Sequence, residues 1–151
     1  FTGAGRWRGG PGVHWEAVNE GSDGQVSTGS SDGDEVMGFG AVGGDPSPQS
    51  RTYLVRDGKE IRLKPHRRVV IKTGDIMRKY SSGGGGVGNA AKRDPRMVQE
   101  DVENELVSIE QAKSIYKVVI DPKTLAVDLA KTKKLRTKSR KKGTKKRRPA
   151  A

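Results

Sequence analysis

The sequence contains no cysteine, so disulfides and thiolate metal sites are excluded. Aromatic residues make up 5% and hydrophobic residues 31% of the 151 positions, whereas 21 positions are glycine. A small domain buries only a modest share of its surface even when its composition is average, so this chain has little material for an independent core. We expect one loop-rich domain that packs against a larger partner.

Long apolar runs are also absent. No run in the sequence approaches the ~18 apolar residues of a membrane span, and no signal peptide is recognisable. We therefore expect a cytoplasmic protein with no membrane partner. The chain begins with Phe1 instead of methionine, so we expect a processed or truncated product, or part of a longer protein.

Acidic residues are missing from the last part of the chain. Residues 131 to 151 carry 12 lysines and arginines and no acidic residue, and the remaining 18 basic residues equal the 18 acidic ones. The body is therefore neutral, which argues against a basic binding face on the folded part. We predict that this basic tail is disordered in isolation, because it buries too little apolar surface to offset its ordering entropy.

The tail has more than one interpretation. It can contact RNA, DNA or an acidic surface through counterion release. It lacks aromatic residues for base stacking, so nucleic-acid binding would be non-specific. A tail that contacts an acidic partner, or a solubilising end, explains the composition equally well.

Residues 1 to 80 have short apolar runs separated by glycine, aspartate and proline, which predicts a small antiparallel β assembly. Alternation over residues 13 to 18 predicts a half-buried strand with Trp15 facing inward. Asp57 and Gly58 lie between two alternating runs, which is the strongest short-range hairpin signal. The polar composition of residues 19 to 34 predicts an exposed loop or a weak hairpin.

The pattern becomes helical after a glycine-rich loop. Asp94 is a good N-cap and Pro95 suits the first helical position, so a helix to about residue 105 is predicted. Its acidic residues, including Asp101, are expected on a solvated face. Ser108 opens a capping box for a second short helix.

These patterns predict an α+β fold: a small Gly-rich antiparallel β assembly, then two short helices and a terminal β pair, with a disordered basic tail. The terminal pair is expected over residues 117–121 and 125–128. We divide the chain into a β-rich part, a Gly-rich loop, a helical docking element and the basic tail, at residues 1–80, 81–93, 94–130 and 131–151.

The Gly-rich loop is one candidate site. It contains Gly83, Gly84, Gly85 and Gly86, which lack Cβ atoms and let a ligand or another chain approach the backbone closely. A flexible connector is one interpretation of this composition. A tight turn that lines a site, such as an anion site, is the other. No Gly-Lys-Ser/Thr follows, so the loop is not a Walker A motif.

Arg6 and Arg8 are the other candidates, because guanidinium groups pair bidentately with carboxylates and other anions. They either clamp such a group, or are arginines that lie at the surface or hold a loop in place. His14 and His66 are the two histidines, and neither has a carboxylate partner or a nucleophile motif visible in the sequence. We therefore assign no metal ligand and no catalytic residue.

The order of the motifs resembles the C-terminal part of the hydantoinase B/5-oxoprolinase family, which includes HyuB-type subunits and acetone and acetophenone carboxylases. Arg8 corresponds to the arginine of the family's Gly-x-x-Arg-Gly-Gly segment. Val87 and Asn89 stand where the family usually has Tyr and Asp, which leaves the substrate class open. The other matching positions are Phe39, Gly40, Gly43, Gly44 and Pro46, the Gly-rich loop, Arg93-Asp94-Pro95, Leu106-Val107-Ser108 and Tyr116-Lys117-Val118-Val119.

The resemblance implies part of an ATP-dependent amidohydrolase or ketone carboxylase. Such complexes hydrolyse cyclic amides such as hydantoin or 5-oxoproline, or carboxylate ketones such as acetone or acetophenone. The implied partners are a large hydantoinase B-type chain and an actin-like hydantoinase A-type ATPase subunit in a hetero-oligomer. ATP and Mg would be bound through that ATPase subunit and a divalent metal by the remainder of the B subunit, with no cofactor on this chain.

Family B subunits are several times longer than this chain. The resemblance therefore implies a C-terminal segment or small subunit that completes the large subunit and does not catalyse alone. Arg6, Arg8 and the four glycines at positions 83 to 86 would contribute to the substrate site or to a subunit contact. A basic-tailed nucleic-acid-associated protein, which is less favoured, and a purely structural subunit are the alternatives.

Overall fold

The computed structural model describes residues 2–28 and 32–145. Its described part combines antiparallel sheets with short helices, which confirms the predicted α+β class. The strands are β1 (His14–Val18), β2 (Gly24–Ser27), β3 (Arg51–Arg56), β4 (Lys59–Leu63), β5 (Arg68–Ile71) and β6 (Ile76–Tyr80). The α-helices are α1 (Pro95–Glu103), α2 (Ile109–Ser114) and α3 (Leu129–Lys145), and short 3-10 helices cover Asp32–Asp34 and Ala90–Lys92.

The main sheet has four antiparallel strands in the order β1-β6-β3-β4. The predicted β3–β4 hairpin is confirmed. Its turn residues Asp57 and Gly58 both have positive φ angles, 51° and 71°, as the favoured two-residue hairpin turn requires.

β1 forms one edge of this sheet and pairs with β6 alone among the described strands. The prediction that Trp15 faces inward is wrong, because its side chain is 42% exposed and every residue of β1 is exposed. Alternation gave the strand correctly, but no described element covers either face of it. Residues 24 to 27, predicted as loop or weak hairpin, instead pair with β5 in a separate two-stranded sheet.

Three glycine-rich stretches, from residues 2–12, 38–47 and 81–88, pack backbone against backbone; we call this region the glycine layer. The amide of Gly3 donates to Gly84 O at 2.9 Å, and the amide of Gly86 donates to Asp45 O at 2.9 Å. A Cβ on Gly85 would lie 1.8 Å from Phe39 O. The stretches can approach this closely only because glycine has no side chain.

The apolar core lies under the helices and contains Val98, Val102, Val107, Ala112, Tyr116, Val118 and Ile120, together with Ala4 from the glycine layer. Both predicted helix starts are confirmed. Asp94 caps α1 by accepting from the Arg96 amide, and Ser108 forms a capping box with Gln111. Burial of Tyr116 raises the pKa of its hydroxyl.

Packed on the rest of the protein, the first part of the basic tail is helical, because α3 covers Leu129–Lys145; residues 146 to 151 lie outside the described part. Hydropathy alone missed this helix because it is attached by polar contacts. Thr132 is 3% exposed and accepts from the Val119 amide at 2.9 Å. The predicted terminal β pair is reduced to a single bridge, between Ile120 and Val127.

No helix in the described ranges has both the length and the apolar character needed to cross a bilayer.

Candidate functional site

The Gly-rich loop lies in the middle of the glycine layer. The Gly84 amide donates to Gly10 O at 3.0 Å, and Gly84 O accepts from the Gly3 amide at 2.9 Å. Gly86 uses both of its backbone groups similarly, with Asp45 O and the Ala41 amide, each at 2.9 Å. These amides are therefore occupied by protein carbonyls. A role of residues 83 to 86 in binding substrate or a subunit stays a prediction.

Arg8 and Arg93 converge on one carboxylate, that of Asp101 in α1. Nε of Arg8 lies 2.7 Å from Oδ1 of Asp101, and Nε of Arg93 lies 2.9 Å from Oδ2. Asp101 and Arg93 are each only 4% exposed. The two arginines come from distant positions in the chain, and each donates to a different oxygen of the carboxylate.

This cluster also fixes the backbone near Arg6. Nη1 of Arg93 donates to Arg6 O at 3.2 Å, and Nη1 of Arg8 donates to Gly9 O at 3.1 Å. The Arg8 guanidinium thus holds the loop in place, which was one of the two interpretations of the sequence. The Arg6 side chain is exposed, with its guanidinium 5.8 Å from the centre of the Trp7 ring.

The sequence prediction that Asp101 lies on a solvated face is wrong. Asp101 follows the fully buried Val98 by three positions, and residues three apart share a face of an α-helix. Its charge is balanced by Arg8 and Arg93, as a buried carboxylate requires. That spacing was the signal from which the buried carboxylate could have been found.

Apart from the Asp101 cluster, a concave region lies on one face of the main sheet. A cavity of about 320 Å³ is lined by Arg51, Tyr53, Glu60 and Tyr80, together with residues 48, 49 and 81. Tyr53 meets Tyr80 edge to face, with ring centroids 6.0 Å apart. Its lining offers aromatic rings and a guanidinium to a planar or anionic group.

His14 lies beside this cavity and stacks on Tyr80, with ring centroids 4.4 Å apart and an interplanar angle of 7°. Its Nε2 is 3.5 Å from Oε1 of Glu16. Arg78 bridges Glu16 on β1 and Glu60 on β4. Sequence reasoning missed this arrangement, because the residues come together only through the pairing of β1, β6, β3 and β4.

Within residues 2–28 and 32–145, no three His, Asp or Glu side chains are grouped so that they could hold a metal ion. Asp75 forms an ion pair with Arg56: the single Nε–H of Arg56 is shared between the two carboxylate oxygens, and Nη2 donates to Oδ2. These hydrogen bonds lower the pKa of Asp75 from 3.8 to about 2.

Comparison with known proteins decides the family. The family model described as Hydantoinase B/oxoprolinase matches residues 1–90. The chain belongs to the hydantoinase B/oxoprolinase family. The resemblance predicted from the order of the motifs is thereby confirmed. An uncharacterized protein from Methanocaldococcus jannaschii is 35% identical over 136 residues, which are 89% of this chain and 24% of that protein.

Two solved structures share the fold. The nucleotide-free structure of acetone carboxylase, from a study of ATP-dependent acetone carboxylation, has a TM-score of 0.74 at 19% identity and covers 98% of this chain. The ATP-dependent caprolactamase from Pseudomonas jessenii has a TM-score of 0.66 at 27% identity and covers 89%. This hydantoinase B family chain spans 24% of the length of each of these chains.

Proposed function

We propose that this chain is the C-terminal segment or a small subunit of a hydantoinase B-type, ATP-dependent enzyme complex. It completes the large subunit and does not catalyse alone. The observation that carries the proposal is one of coverage: the likeness extends over 89% to 98% of this chain but over 24% of each relative. A chain that matches about a quarter of the length of each relative is expected to be one part of a larger protein or complex.

The exposed apolar side chains support this role. Phe39 is 88% and Val42 87% exposed, and both flank Ala41, which forms a bridge with Val87. Trp7 forms a second bridge with Val87 and is also exposed. Large apolar side chains that are exposed close together usually mark an interaction surface. We call Trp7, Phe39 and Val42 the apolar rim, and we propose that this rim contacts the remainder of the large B-type chain.

The reaction of the complex is proposed from the family. It is the hydrolysis of a cyclic amide, such as hydantoin or 5-oxoproline, or the carboxylation of a ketone, such as acetone or acetophenone. ATP, held with Mg by an actin-like A-type subunit, would activate a carbonyl or bicarbonate oxygen by phosphorylation. In this chain, Arg6 is free to meet a carboxylate of the substrate or partner, whereas Arg8 is paired with Asp101.

Reconstitution tests the proposal. The A-type subunit and the large B-type chain would be produced with and without this segment, and substrate-dependent ATP hydrolysis measured with hydantoin, 5-oxoproline, caprolactam, acetone and acetophenone. We expect co-purification, and turnover of one substrate class only when the segment is present. Failure to co-purify, or equal turnover without the segment, would overturn the proposal.

Arginine variants then separate a contributing segment from a purely structural one. Arg6→Ala should lower kcat/KM about 10-fold or more while the complex stays assembled, because a charged hydrogen bond contributes about 1.5–3 kcal/mol. Arg96→Ala, an equally exposed arginine on α1, is the matched control and should leave kcat/KM unchanged. Unchanged turnover in the Arg6 variant would favour the purely structural alternative.

A further inference from the structure

Helix α3 is firmly held at its beginning. Thr132 accepts from the Val119 amide at 2.9 Å, and Nη2 of Arg136 donates to Arg93 O at 2.7 Å and to Tyr116 O at 3.2 Å. Burial lowers the pKa of the Arg136 guanidinium, since the charged form loses its water. These two side chains on one face fix the orientation of the helix on the body.

The opposite face is basic. Lys133, Lys134, Thr137 and Lys138 are exposed and line one shallow hollow. Lys117 extends this surface, because it lines a neighbouring hollow together with Lys138. Lys131, at the start of the helix, is paired with Asp128 at 2.9 Å. The basic surface therefore begins one turn into α3.

The charge density of α3 matches that of a nucleic-acid strand. Residues 129 to 145 contain nine lysines and arginines and no acidic residue. A helix of that length extends about 25 Å. Without Lys131, which is paired with Asp128, and Arg136, which bonds to carbonyls of the body, seven cations remain, or one per about 3.6 Å, against one phosphate per ~3.4 Å of each DNA strand. Like charges one turn apart destabilise an isolated helix, and a polyanion would relieve that repulsion.

The chemistry of the exposed face favours phosphate over an acidic protein. Protein interfaces are depleted in lysine and have an apolar centre, whereas the described exposed face of α3 after Leu129 carries lysine and threonine. Lysine and threonine are common donors to phosphate oxygens. An α-helix about 10–12 Å across fits the ~12 Å major groove of DNA, while the RNA major groove is too narrow.

We propose that α3 binds the phosphate backbone of duplex DNA. The helix contains no aromatic, asparagine or glutamine residue, so it binds without stacking on or reading adenine. This surface is separate from the apolar rim at Trp7, and the proposal does not depend on the proposed enzyme function. Residues 1 to 130 are neutral, as their composition predicts, but α3 adds an ordered basic segment to them through residue 145.

The test is a salt titration of binding by the full-length protein that contains this chain. Fluorescence anisotropy with a labelled DNA duplex would be measured between about 50 and 200 mM salt. The variant is Lys133→Gln, Lys134→Gln and Lys138→Gln together. The matched control, Lys59→Gln, Lys72→Gln and Lys113→Gln, removes the same charge from exposed lysines elsewhere.

We expect the α3 variant to lower the slope of log K against log salt by about 2.7, since each phosphate contact contributes about 0.9. Its affinity at about 100 mM salt should fall at least 10-fold, and the control should retain the wild-type slope. Equal losses in both variants, or no salt-dependent binding by the wild type, would overturn the proposal.

A competition experiment distinguishes nucleic acid from an acidic protein as the ligand of α3. Polyglutamate at equal charge should displace the duplex poorly; equal displacement would mean that α3 binds acidic protein surfaces, and would overturn the assignment to phosphate. Assembly and ATP hydrolysis of the reconstituted complex should be the same for the α3 variant and the wild type. That result separates a failure of this proposal from a failure of the proposed enzyme function.

Discussion

The carboxylate of Asp101 lies 2.7 Å from Nε of Arg8, a residue 93 positions earlier in the chain. This contact connects the N-terminal glycine-rich stretch to helix α1. Because Arg93 contacts the other carboxylate oxygen, one side chain holds two parts of the chain together. Arg8, for which the sequence allowed either an anion clamp or a structural role, is thus bonded within the protein framework.

Asp101→Asn should destabilise the protein strongly. The change keeps the shape of the side chain but leaves Arg93 as an uncompensated buried charge, which costs about 3–5 kcal/mol. Urea unfolding measures the difference. Glu103→Gln on the same helix is the control, because Glu103 is exposed and should change stability by less than about 0.5 kcal/mol. Equal losses would show that the buried pairs contribute no more than a surface charge.

Gly85→Ala should disrupt the glycine layer, since the new Cβ would lie 1.8 Å from Phe39 O and the backbone would have to move. We expect a loss of about 1–3 kcal/mol in the free energy of unfolding. Gly84→Ala is the neighbouring control: the nearest atom, the Gly10 nitrogen, is 3.4 Å from its Cβ. Its stability should stay within about 1 kcal/mol of the wild type. Comparable stability of the two variants would contradict the close packing at Gly85.

Asp75 should make the protein sensitive to acid. Its pKa is lowered from 3.8 to about 2 in the folded protein, mainly by the Arg56 hydrogen bonds, so the unfolded chain binds a proton at higher pH than the folded one. The stability that Asp75 contributes is therefore complete above about pH 4 and is lost as the pH falls through about 2.

Comparing Asp75→Asn with the wild type at neutral and acidic pH checks this prediction. The difference in unfolding free energy between them should be large at neutral pH and should shrink as the pH falls. Asp57→Asn, in the exposed β3–β4 turn, is the control. A difference that stays constant over the acidic range would rule out the coupling to Arg56.

Thr132→Val should loosen α3. The substitution keeps the shape but leaves the Val119 amide without its 2.9 Å acceptor, at a cost of about 1–3 kcal/mol. Hydrogen exchange at the Val119 amide should accelerate. Thr137→Val is the control, because the Thr137 hydroxyl is exposed and bonds only within α3, to Lys133 O. Unchanged exchange in the Thr132 variant would mean that α3 is held by other contacts.

The parts of the fold that could be predicted are those with local chemical signals. Asp57 and Gly58 marked a hairpin, and Asp94 and Ser108 marked two helix starts, because turn and cap preferences depend on neighbouring residues alone. The exposure of Trp15 could not be predicted, since alternation gives a strand but not what covers it. The helix from Leu129 was missed for a related reason: Arg136 is held by carbonyls of residues 93 and 116.

The candidate site was predictable only in part. The motif order identified Arg8 and the four glycines, but it could not say which of them face inward. That outcome depends on Asp101, a partner far away in sequence, and on the close approach of Gly85 to Phe39. The aromatic cavity at Tyr53 and Tyr80 required strand order, which single-sequence patterns do not specify.

The glycine layer also determines when this chain can fold. Its earliest residues bond to partners far along the chain, as Thr2 does with Gly84 over 82 positions. Contacts of such long range require a large loop to close first, and they slow folding. During synthesis, residues 2–12 must therefore wait, unpaired, until the stretch near Gly84 has emerged. Until then this stretch is exposed to the non-productive contacts that chaperones prevent.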